Sequence, residues 1–481
     1  MVDNMQMLFD FYEATMANGL FRDGKQDTIT YFDMFFRHVP DGGGYAIMAG
    51  LEQLIDYLRD LHFEKEDIEY FRKCGVFSKE FIDYLENFEF SCDVWAVPEG
   101  TPIFPSEPII TVKGPAVQAM MIETMVLLTV NHQSLIATKA NRIVRAASGR
   151  AVMEFGSRRA HGYDAAIYGA RAAYIGGCVG TACVKAGQEF DIPALGTMAH
   201  SWVQIFDSEY DAFKSYAESY PDNCTLLVDT YNVLKSGIPN AIRVFDEVLK
   251  PLGKRPKGIR IDSGDITYLS RKARKMLDDA GYPDCGICIS NSLDEYLIRD
   301  TLMQGAQINS FGVGERLITA SSEAVFGGVY KVVAIEEDGT VIPKIKISEN
   351  TTKITNPCFK DLWRLYDNYS GKAIADVITL HGEIIDDGNE YEIFDPVHTW
   401  KRKTVTDFTA KRLRVKVFEN GKCIYKSPSV RDIQSYCREQ VDTLWDEVLR
   451  FEKPHEYYVD LSQRLWNEKD MLLKAYGNEV K

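Results

Sequence analysis

An excess of basic residues is absent from this chain of 481 residues, which carries 55 lysines and arginines against 70 aspartates and glutamates. Nucleic-acid binding needs a basic surface that displaces the counterions of the phosphate backbone, so this acidic balance argues against nucleic acid as a partner. A small anionic ligand remains compatible with it, because a pocket needs only a local group of cations.

A leader peptide and long apolar runs are also missing. The start, MVDNMQMLFDFYEATM, has no basic segment followed by an apolar one, so we expect no secretory signal. The most apolar stretch, AMMIETMVLLTV over 119–130, contains Glu123 and is shorter than the roughly 20 residues of a membrane span, so it predicts a buried helix. Ten scattered cysteines in a chain without an export signal suggest reduced thiols, and we expect a cytoplasmic protein.

Two ligand-binding motifs are incomplete. The pair Cys285-x-x-Cys288 lies in CGICIS, a pattern typical of a buried strand, and has no second ligand pair, so zinc is not favoured. The pattern G-x-x-x-x-G-K-[ST] does not occur, which excludes an ordinary P-loop. Any ATP must therefore be bound in another way.

Length and pattern predict about three regions. Residues 1–135 mix helical and β-prone segments, and we expect an N-terminal α/β domain completed by part of 330–400. Over 136–330, short apolar runs alternate with helical patterns, which predicts βαβ units and a parallel sheet. About six such units favour an incomplete α/β barrel, in which the active site lies at the carboxyl ends of the strands.

Residues 331–481 are expected to form a smaller C-terminal region. GGVYKVVAIEEDGTVIPKIKIS (327–348) alternates in the manner of strands. The basic pieces KRK (401–403) and KRLRVK (411–416) are interpreted as solvated strand faces rather than as a nucleic-acid surface.

Two arginines follow the first of the predicted parallel strands. Arg158 and Arg159 stand in GSRRAHGYD beside Gly156. Guanidinium groups in this position can hold a carboxylate or phosphate through paired hydrogen bonds. A surface ion pair fits the same two residues equally well, so both roles stay open.

The segment RIDSGD places Arg260, Asp262 and Asp265 around Ser263 and Gly264. Close carboxylates that flank a turn suit a Mg²⁺ ion shared with phosphate oxygens. Ser263 or Asp265 could equally cap the following helix. The two roles are compatible.

Three other features carry weaker signals. FGVGERL is interpreted as a Gly-x-Gly turn, at Gly312–Gly314, whose amides could hold phosphate. Tyr12 and Phe155 are aromatic candidates for stacking on a flat ring, although each is also typical of a core. His200 lies among small residues in PALGTMAHSWVQIF, and on its own it is most often a structural histidine.

Together these segments resemble the nicotinate phosphoribosyltransferase family over nearly the whole chain. The matching blocks are DFYEATMANG, YFDMFFRHVPDGGGYAIMAGLEQLIDYL, NHQSLIATKANRI, EFGSRRAHGYDAAIYGARAAYIGG, GTMAHSWVQ, IRIDSGD, INSFGVGERL and KPHEYYVDLS. The resemblance implies an N-terminal α/β domain packed on an incomplete α/β barrel, usually in a homodimer with shared active sites. It also implies transfer of phosphoribosyl from phosphoribosyl pyrophosphate to nicotinate, coupled to ATP hydrolysis.

The resemblance assigns roles to individual residues. It implies that His200 is transiently phosphorylated, that Arg158 lies beside the pyrophosphate and the base, and that Tyr12, supplied by the partner subunit, pairs with Phe155 to sandwich the pyridine ring. The other implied contacts are Phe155 for the pyridine ring; Asp229, Arg260, Asp262 and Asp265 for ribose, pyrophosphate and Mg²⁺; Ser290 and Asn291 for ribose; and Gly312, Val313 and Gly314 for the 5′-phosphate. Arg159, Ser201, Ser263 and Gly264 are grouped with the substrate-binding residues. A phosphorylated histidine usually has a carboxylate that orients its other nitrogen, and Ala199, the neighbour of His200, cannot be that group.

Three alternatives remain at this stage. A nicotinamide enzyme would place an acid near the base, and the absence of any acidic residue between Ala165 and Gln188 favours nicotinate. A quinolinate phosphoribosyltransferase would need no ATP and a more cationic pocket. A non-catalytic metabolite-binding relative would be expected to lose some of the residues that remain intact here, His200 and Arg158 among them.

Overall fold

The computed structural model of the chain describes residues 5–350 and 353–477. It divides into two compact units. One unit combines everything up to Leu135 with everything from Val325 onward, and the other is Ile136–Ala324. All candidate site residues except Tyr12 belong to the second unit.

The elements are numbered in chain order. The helices are α1 (Phe11–Arg22), α2 (Leu51–Arg59), α3 (Lys65–Cys74), α4 (Lys79–Glu86), α5 (Ala116–Met121), α6 (Glu123–Ala146), α7 (Tyr163–Ile175), α8 (Val184–Phe190), α9 (His200–Ile205), α10 (Glu209–Ser219), α11 (Ile238–Val244), α12 (Ile266–Asp279), α13 (Glu295–Met303), α14 (Glu315–Ile318), α15 (Val430–Asp442) and α16 (Gln463–Gly477). The strands are β1 (Ile29–Phe35), β2 (Ala46–Ile47), β3 (Asp93–Ala96), β4 (Pro102–Ile103), β5 (Ile110–Pro115), β6 (Ala151–Glu154), β7 (Gly180–Thr181), β8 (Thr225–Leu227), β9 (Gly258–Ile261), β10 (Gly286–Ile289), β11 (Ser310–Val313), β12 (Val329–Glu337), β13 (Thr340–Pro343), β14 (Lys360–Asp367), β15 (Ala373–Leu380), β16 (Tyr391–Phe394), β17 (Arg402–Val405), β18 (Phe408–Arg412), β19 (Val415–Glu419), β20 (Lys422–Cys423) and β21 (Val459–Leu461).

A six-stranded parallel sheet forms the centre of the second unit. Its order is β7-β6-β11-β10-β9-β8, so that β6, the first of these strands in the chain, pairs with β11, the last. Parallel strands are covered on both faces and are therefore rich in apolar residues, and Ile259, Ile261, Ile287 and Ile289 are buried. The prediction of strands that alternate with helices in a parallel sheet is confirmed.

Acidic residues begin the helices that follow two of these strands. The Asp265 carboxylate accepts a hydrogen bond from the Tyr268 backbone N–H at 2.7 Å, at the start of α12. The Asp294 carboxylate accepts one from the Leu297 N–H at 2.8 Å, at the start of α13. Each cap satisfies one of the free N–H groups of a first helical turn. The polar loops between strands and helices are thereby fixed at the carboxyl end of the sheet.

Strands from both ends of the chain form the main sheet of the first unit. This seven-stranded sheet has the order β13-β12-β1-β5-β3-β19-β20, and the pairs of β1 with β12 and with β5 are antiparallel. The alternating segment over 327–348 forms the antiparallel pair β12 and β13, as its pattern predicts. A four-stranded sheet, β18-β14-β15-β21, lies in the same unit.

The apolar stretch over 119–130 is helical, as predicted. It is divided between α5 and α6, which are separated by the buried Ile122. Among the helices of residues 5–350 and 353–477, none combines the length and the apolar character that crossing a membrane requires. All ten cysteines lie in this part of the chain, and none is in a disulfide there.

The interpretation of KRLRVK as a solvated face is wrong for one residue. Arg414 is buried and donates hydrogen bonds to the Thr111 hydroxyl and to the backbone carbonyl of Lys360. A buried guanidinium must replace its lost hydration with protein acceptors, and these two acceptors lie far away in sequence. By contrast, Arg402 and Lys403 in KRK are exposed, in agreement with the pattern.

Candidate active site

Polar residues at the carboxyl ends of β8, β9 and β10 form a connected group, here called the strand-end network. Its members are Asp229, Arg260, Asp262, Ser263 and Ser290. The register pairs Leu227 with Arg260 and Ile289 with Ile261. Two residues beyond Leu227, this register places Asp229 beside Asp262. One residue beyond Ile289, it places Ser290 beside Asp262. All five residues are candidates predicted from the sequence, and the structure brings them together.

Arg260 and Asp262 form the centre of the strand-end network. Side chains two residues apart on a strand lie on the same face, and the Arg260 Nη2 donates to Asp262 Oδ1 at 2.9 Å. Arg260 Nε also donates to the Ser290 hydroxyl at 2.6 Å, and this hydroxyl donates to the same Asp262 oxygen. Charge-assisted hydrogen bonds of this kind are about twice as strong as neutral ones, so the three groups hold one another.

Asp229 ties the end of β8 to the turn after β9. Its Oδ2 accepts hydrogen bonds from the Asp262 backbone N–H at 2.9 Å and from the Ser263 hydroxyl at 2.6 Å. Its other oxygen, Oδ1, is buried and has no hydrogen-bond partner in the described residues. Buried carboxylate oxygens are ordinarily hydrogen-bonded, so Asp229 Oδ1 is an acceptor that the described residues leave unsatisfied.

The turn after Asp262 requires a glycine. Gly264 has a φ of +85°, in the left-handed region that favours glycine. The turn leads to Asp265, whose exposed carboxylate caps α12, so the capping role considered for it is confirmed. One Asp265 oxygen is thus engaged with the backbone.

His200 begins α9 and points its two ring nitrogens at different groups. Nδ1 lies 3.2 Å from the Thr230 hydroxyl, within hydrogen-bonding distance. Nε2 lies 3.9 Å from Asp262 Oδ2, which is beyond a hydrogen bond but close enough for a charge interaction. The His200 side chain is 41 % exposed, so a ligand can reach it.

The Phe155 ring lies against a glycine of the neighbouring strand. A Cβ added to Gly312 would stand 2.5 Å from Phe155 Cδ2 and 3.2 Å from the Ser290 Cβ. The Arg260 guanidinium carbon lies 5.4 Å from the centre of the ring, in a cation–π arrangement. The absence of a side chain at position 312 therefore sets where the Phe155 ring lies relative to the strand-end network.

The interpretation of FGVGERL as a Gly-x-Gly turn is corrected. Gly312 and Val313 are the last two residues of β11, paired with Met153 and Glu154 of β6. Only Gly314 lies outside the strand, where it precedes the four-residue helix α14. Pairing with β6 continues the strand through these two residues, because a glycine weakens a strand but does not prevent ladder formation.

Four other candidates lie in loops or on the surface of the second unit. Arg158 and Arg159 belong to a 3₁₀ turn after β6, and both are exposed, without a partner in the described residues. Ser201, in the first turn of α9, and Asn291, after β10, are also exposed. These side chains are free to meet a ligand but are not part of the strand-end network.

Tyr12 lies in α1 of the first unit. Its side chain is 45 % exposed. Partial burial, together with the nearby Glu123 carboxylate, raises the pKa of Tyr12 to about 12. The phenol therefore stays protonated near neutral pH and can donate a hydrogen bond to Glu123.

Two further groups, Thr230 and Glu154, contact these residues and were not predicted from the sequence. Thr230 follows Asp229 at the end of β8, in LLVDTYN, and this polar position after an apolar run was the signal that could have found it. Glu154, the last residue of β6, is buried, and burial raises its pKa. Its oxygens accept hydrogen bonds from the Gly156 N–H and, at 2.6 Å, from the Thr181 hydroxyl, which fixes the backbone on both sides of Phe155.

Comparison with known proteins gives a consistent result along the chain. Three family models match: the nicotinate phosphoribosyltransferase N-terminal domain over residues 7–131, the nicotinate phosphoribosyltransferase family over 150–369, and the nicotinate phosphoribosyltransferase C-terminal domain over 359–469. A nicotinate phosphoribosyltransferase of Bacillus subtilis is 45% identical over 469 residues, which cover 97% of this chain and 95% of the relative.

Solved structures agree with these matches. The crystal structure of human nicotinic acid phosphoribosyltransferase aligns with a TM-score of 0.85 at 28% identity, over 96% of this chain and 99% of that one. A nicotinate-nucleotide pyrophosphorylase from Pyrococcus furiosus aligns with a TM-score of 0.70 at 22% identity, over 91% and 95% of the two chains. At that identity the second similarity concerns the fold alone.

Substitution of Gly312 tests the contact that places Phe155. We expect Gly312→Ala to displace the ring or strain the strand, and to lower the free energy of unfolding by about 1–3 kcal/mol, as overpacking does in a well-packed interior. Chemical denaturation monitored by circular dichroism measures the change.

The matched control is Gly196→Ala, because a Cβ at this exposed glycine meets no atom within 4 Å. We expect it to change stability by less than about 0.5 kcal/mol. Equal stability of the two variants would contradict the proposed constraint on Phe155.

Proposed function

Because the chain belongs to the nicotinate phosphoribosyltransferase family, we propose that it transfers a phosphoribosyl group from phosphoribosyl pyrophosphate to nicotinate. The products are nicotinate mononucleotide and pyrophosphate, in the first step of NAD salvage. The observation that carries this proposal is the strand-end network, which holds one guanidinium and two carboxylates beside a histidine that ligands can reach.

The chemistry of the transfer suits these groups. Displacement of pyrophosphate from the anomeric carbon leaves positive charge on the sugar and negative charge on the leaving group. Arg260 and the exposed Arg158 are cations that can meet the leaving group. The pyridine nitrogen is already a nucleophile and needs no general base, so positioning of nicotinate against the Phe155 ring contributes most to the rate.

The proposal includes ATP hydrolysis through a phosphorylated His200. A neutral imidazole attacks the γ-phosphorus, and the phosphohistidine raises the affinity for phosphoribosyl pyrophosphate until hydrolysis resets the enzyme. Support comes from the exposure of the ring and from the small residues before it, of which Gly196 and Ala199 are exposed. Such an arrangement leaves room for a phosphoryl group next to the imidazole.

Magnesium is proposed to arrive with the pyrophosphate. The described residues contain no group of three or more acidic, histidine or cysteine side chains that would hold a metal by themselves. The donors fit a shared ion nevertheless, because Asp229 Oδ1 is buried without a partner and Asp262 Oδ2 accepts no hydrogen bond in the described residues. Asp262 and Asp265, joined by Asp229, would hold the ion. Bound Mg²⁺ neutralises charge on the leaving pyrophosphate.

The parallel sheet is proposed to be an incomplete α/β barrel. In a barrel the strands follow one another around a ring, and the first pairs with the last. The pairs β8-β9-β10-β11 and β11-β6-β7 follow that order, with one opening between β7 and β8.

We further propose a cytoplasmic location, which the ten free cysteines support.

A homodimer with shared active sites is proposed on the character of α1. Phe11, Tyr12 and Met16 are exposed on its first turns. Clustered exposed apolar residues mark interaction surfaces, and Tyr12 is the aromatic partner that the site in the second unit of another copy would receive.

The rival functions receive less support. A quinolinate enzyme would need a more cationic pocket to bind two carboxylates, whereas the turn after Phe155 offers two exposed arginines, Arg158 and Arg159. A nicotinamide enzyme needs an acid to accept from the amide, and Glu154 has both oxygens engaged in the interior. A non-catalytic relative would not need the intact strand-end network.

Base preference tests the substrate assignment. We expect turnover of nicotinate to exceed that of nicotinamide by at least about 100-fold in kcat/KM, because a buried polar mismatch costs several kcal/mol. Steady-state rates with each base, at saturating phosphoribosyl pyrophosphate, measure the ratio. Faster turnover of nicotinamide would contradict the proposal.

Labelling with γ-phosphate-labelled ATP tests the coupling mechanism. We expect the wild-type protein to acquire a label that is labile in acid and stable in base, and His200→Ala to lose it because no other imidazole can replace it. His161→Ala, which removes an exposed histidine from another loop, is the control and should keep the label. A label that persists in His200→Ala would place phosphorylation elsewhere.

Mixed dimers test the shared site. We expect Tyr12→Ala and His200→Ala to be nearly inactive separately. Co-expression should restore about a quarter of wild-type activity, because half of randomly assembled dimers carry one intact site out of two. Heterodimers purified through two different affinity tags should then show about half of the wild-type rate, because each of them carries one intact site out of two. Heterodimers without restored activity would contradict sites shared between subunits.

A further inference from the structure

One hydroxyl group meets the imidazole of His200 in the second unit. Thr230 Oγ1 lies 3.2 Å from Nδ1, and within the described residues this is the one hydrogen bond that the His200 ring makes. The nearest carboxylate, Asp262, approaches the opposite nitrogen only to 3.9 Å, and its other oxygen is engaged by Arg260 and Ser290. The ring is thus oriented by a neutral group on the Nδ1 side.

The position of Thr230 is well fixed for that role. It follows Asp229 directly, and Asp229 is anchored to the turn after β9 through the Asp262 N–H and the Ser263 hydroxyl. The β-branched threonine side chain also has few rotamers. Fixing the short threonine side chain beside the imidazole costs less conformational entropy than fixing a longer side chain would.

We propose that Thr230 is a positioning residue for phosphoryl transfer to His200, and that the phosphoryl group is carried on Nε2. This inference rests on the proposed function, because it concerns the same histidine. The Thr230 oxygen accepts the Nδ1–H, which keeps the lone pair on Nε2. Nε2 faces Asp262 and the strand-end network, where the phosphates of the substrates are expected.

Phosphoryl transfer to His200 exchanges one bond to phosphorus for another. The Nε2 lone pair forms a bond to the γ-phosphorus of the nucleoside triphosphate, the bond from that phosphorus to the bridging oxygen breaks, and the nucleoside diphosphate leaves with the electron pair. The proton stays on Nδ1, so the imidazole becomes cationic and its hydrogen bond to Thr230 becomes charge-assisted and stronger. Hydrolysis by water then releases phosphate and restores the neutral ring.

A carboxylate at the same place would act differently. It would pull the Nδ1 proton more strongly and stabilise the phosphorylated cation for longer. A neutral hydroxyl orients the ring without making the phosphohistidine too stable to be hydrolysed. The chemistry of a carrier that must be reset in each cycle therefore suits threonine.

The test uses three variants of the full chain. Thr230→Val keeps the shape and removes the acceptor, Thr230→Ser keeps the acceptor, and Thr225→Val is the matched control at the other end of β8. We expect Thr230→Val to slow single-turnover phosphorylation by ATP about 10- to 100-fold, as loss of a hydrogen bond to a charged group does. Thr230→Ser should restore the rate to within about threefold, and Thr225→Val should leave it unchanged.

Two readouts separate positioning from a structural role. In ¹⁵N-histidine-labelled protein without ATP, His200, assigned by its missing signal in His200→Ala, should carry its proton on Nδ1 in wild type and Thr230→Ser. In Thr230→Val the proton should move to Nε2, the nitrogen that neutral histidine prefers when free. In the phosphorylated wild-type protein, ³¹P–¹⁵N coupling should place phosphorus on Nε2.

The outcomes distinguish this inference from the proposed function. Phosphate on Nδ1, a proton on Nε2 in the wild type, or equal phosphorylation rates of Thr230→Val and Thr225→Val would each overturn the role of Thr230. A persistent label in His200→Ala would instead overturn the proposed function. The tautomer measurement needs no ATP, so it decides the Thr230 contact even if the wild type is not phosphorylated.

Discussion

In-register pairing of the parallel strands β8 to β11 sets one level of the sheet at which four polar or small residues meet, namely Asp229, Asp262, Ser290 and Gly312. Side chains at one level of a parallel sheet point to the same face. A shift of one residue in any strand would turn its member away from the others. The ion pair of Arg260 with Asp262 and the hydrogen bonds of Asp229 exist because this register is kept, and the apolar residues between them keep it.

The same level of the sheet explains why an aromatic ring lies beside charged groups. Gly312 leaves the space that Phe155 fills, and Arg260 spans the distance between the ring and Asp262. A guanidinium can meet an aromatic face and a carboxylate at the same time because its charge is delocalised over a plane. The apolar and ionic halves of the site are therefore joined through Arg260.

The sequence allows some of these features to be predicted and not others. Runs such as GIRID and CGICIS predict buried parallel strands because short apolar runs with polar ends bury their side chains away from water in this arrangement. The structure confirms the sheet. The end of β11 could not be predicted, because pairing with β6 continued the strand through Gly312. Arg414 appeared as one more charge in a basic strand, and only acceptors distant in sequence explain its burial. Thr230 was missed for a similar reason, since its partner His200 lies 30 residues away.

The segment of chain between the two edge strands of the parallel sheet, β7 and β8, contains His200. The last parallel contact on the β7 side joins Thr181 to Ala194, and β8 begins only at Thr225. After the Leu195 N–H, which still donates to the Thr181 carbonyl, residues 196–199 follow an irregular path and α9 starts at His200. A histidine within a strand would have its backbone fixed on both sides and its side chain held perpendicular to the sheet. Placed instead at the start of a short helix, the imidazole faces Thr230 with one nitrogen and Asp262 with the other.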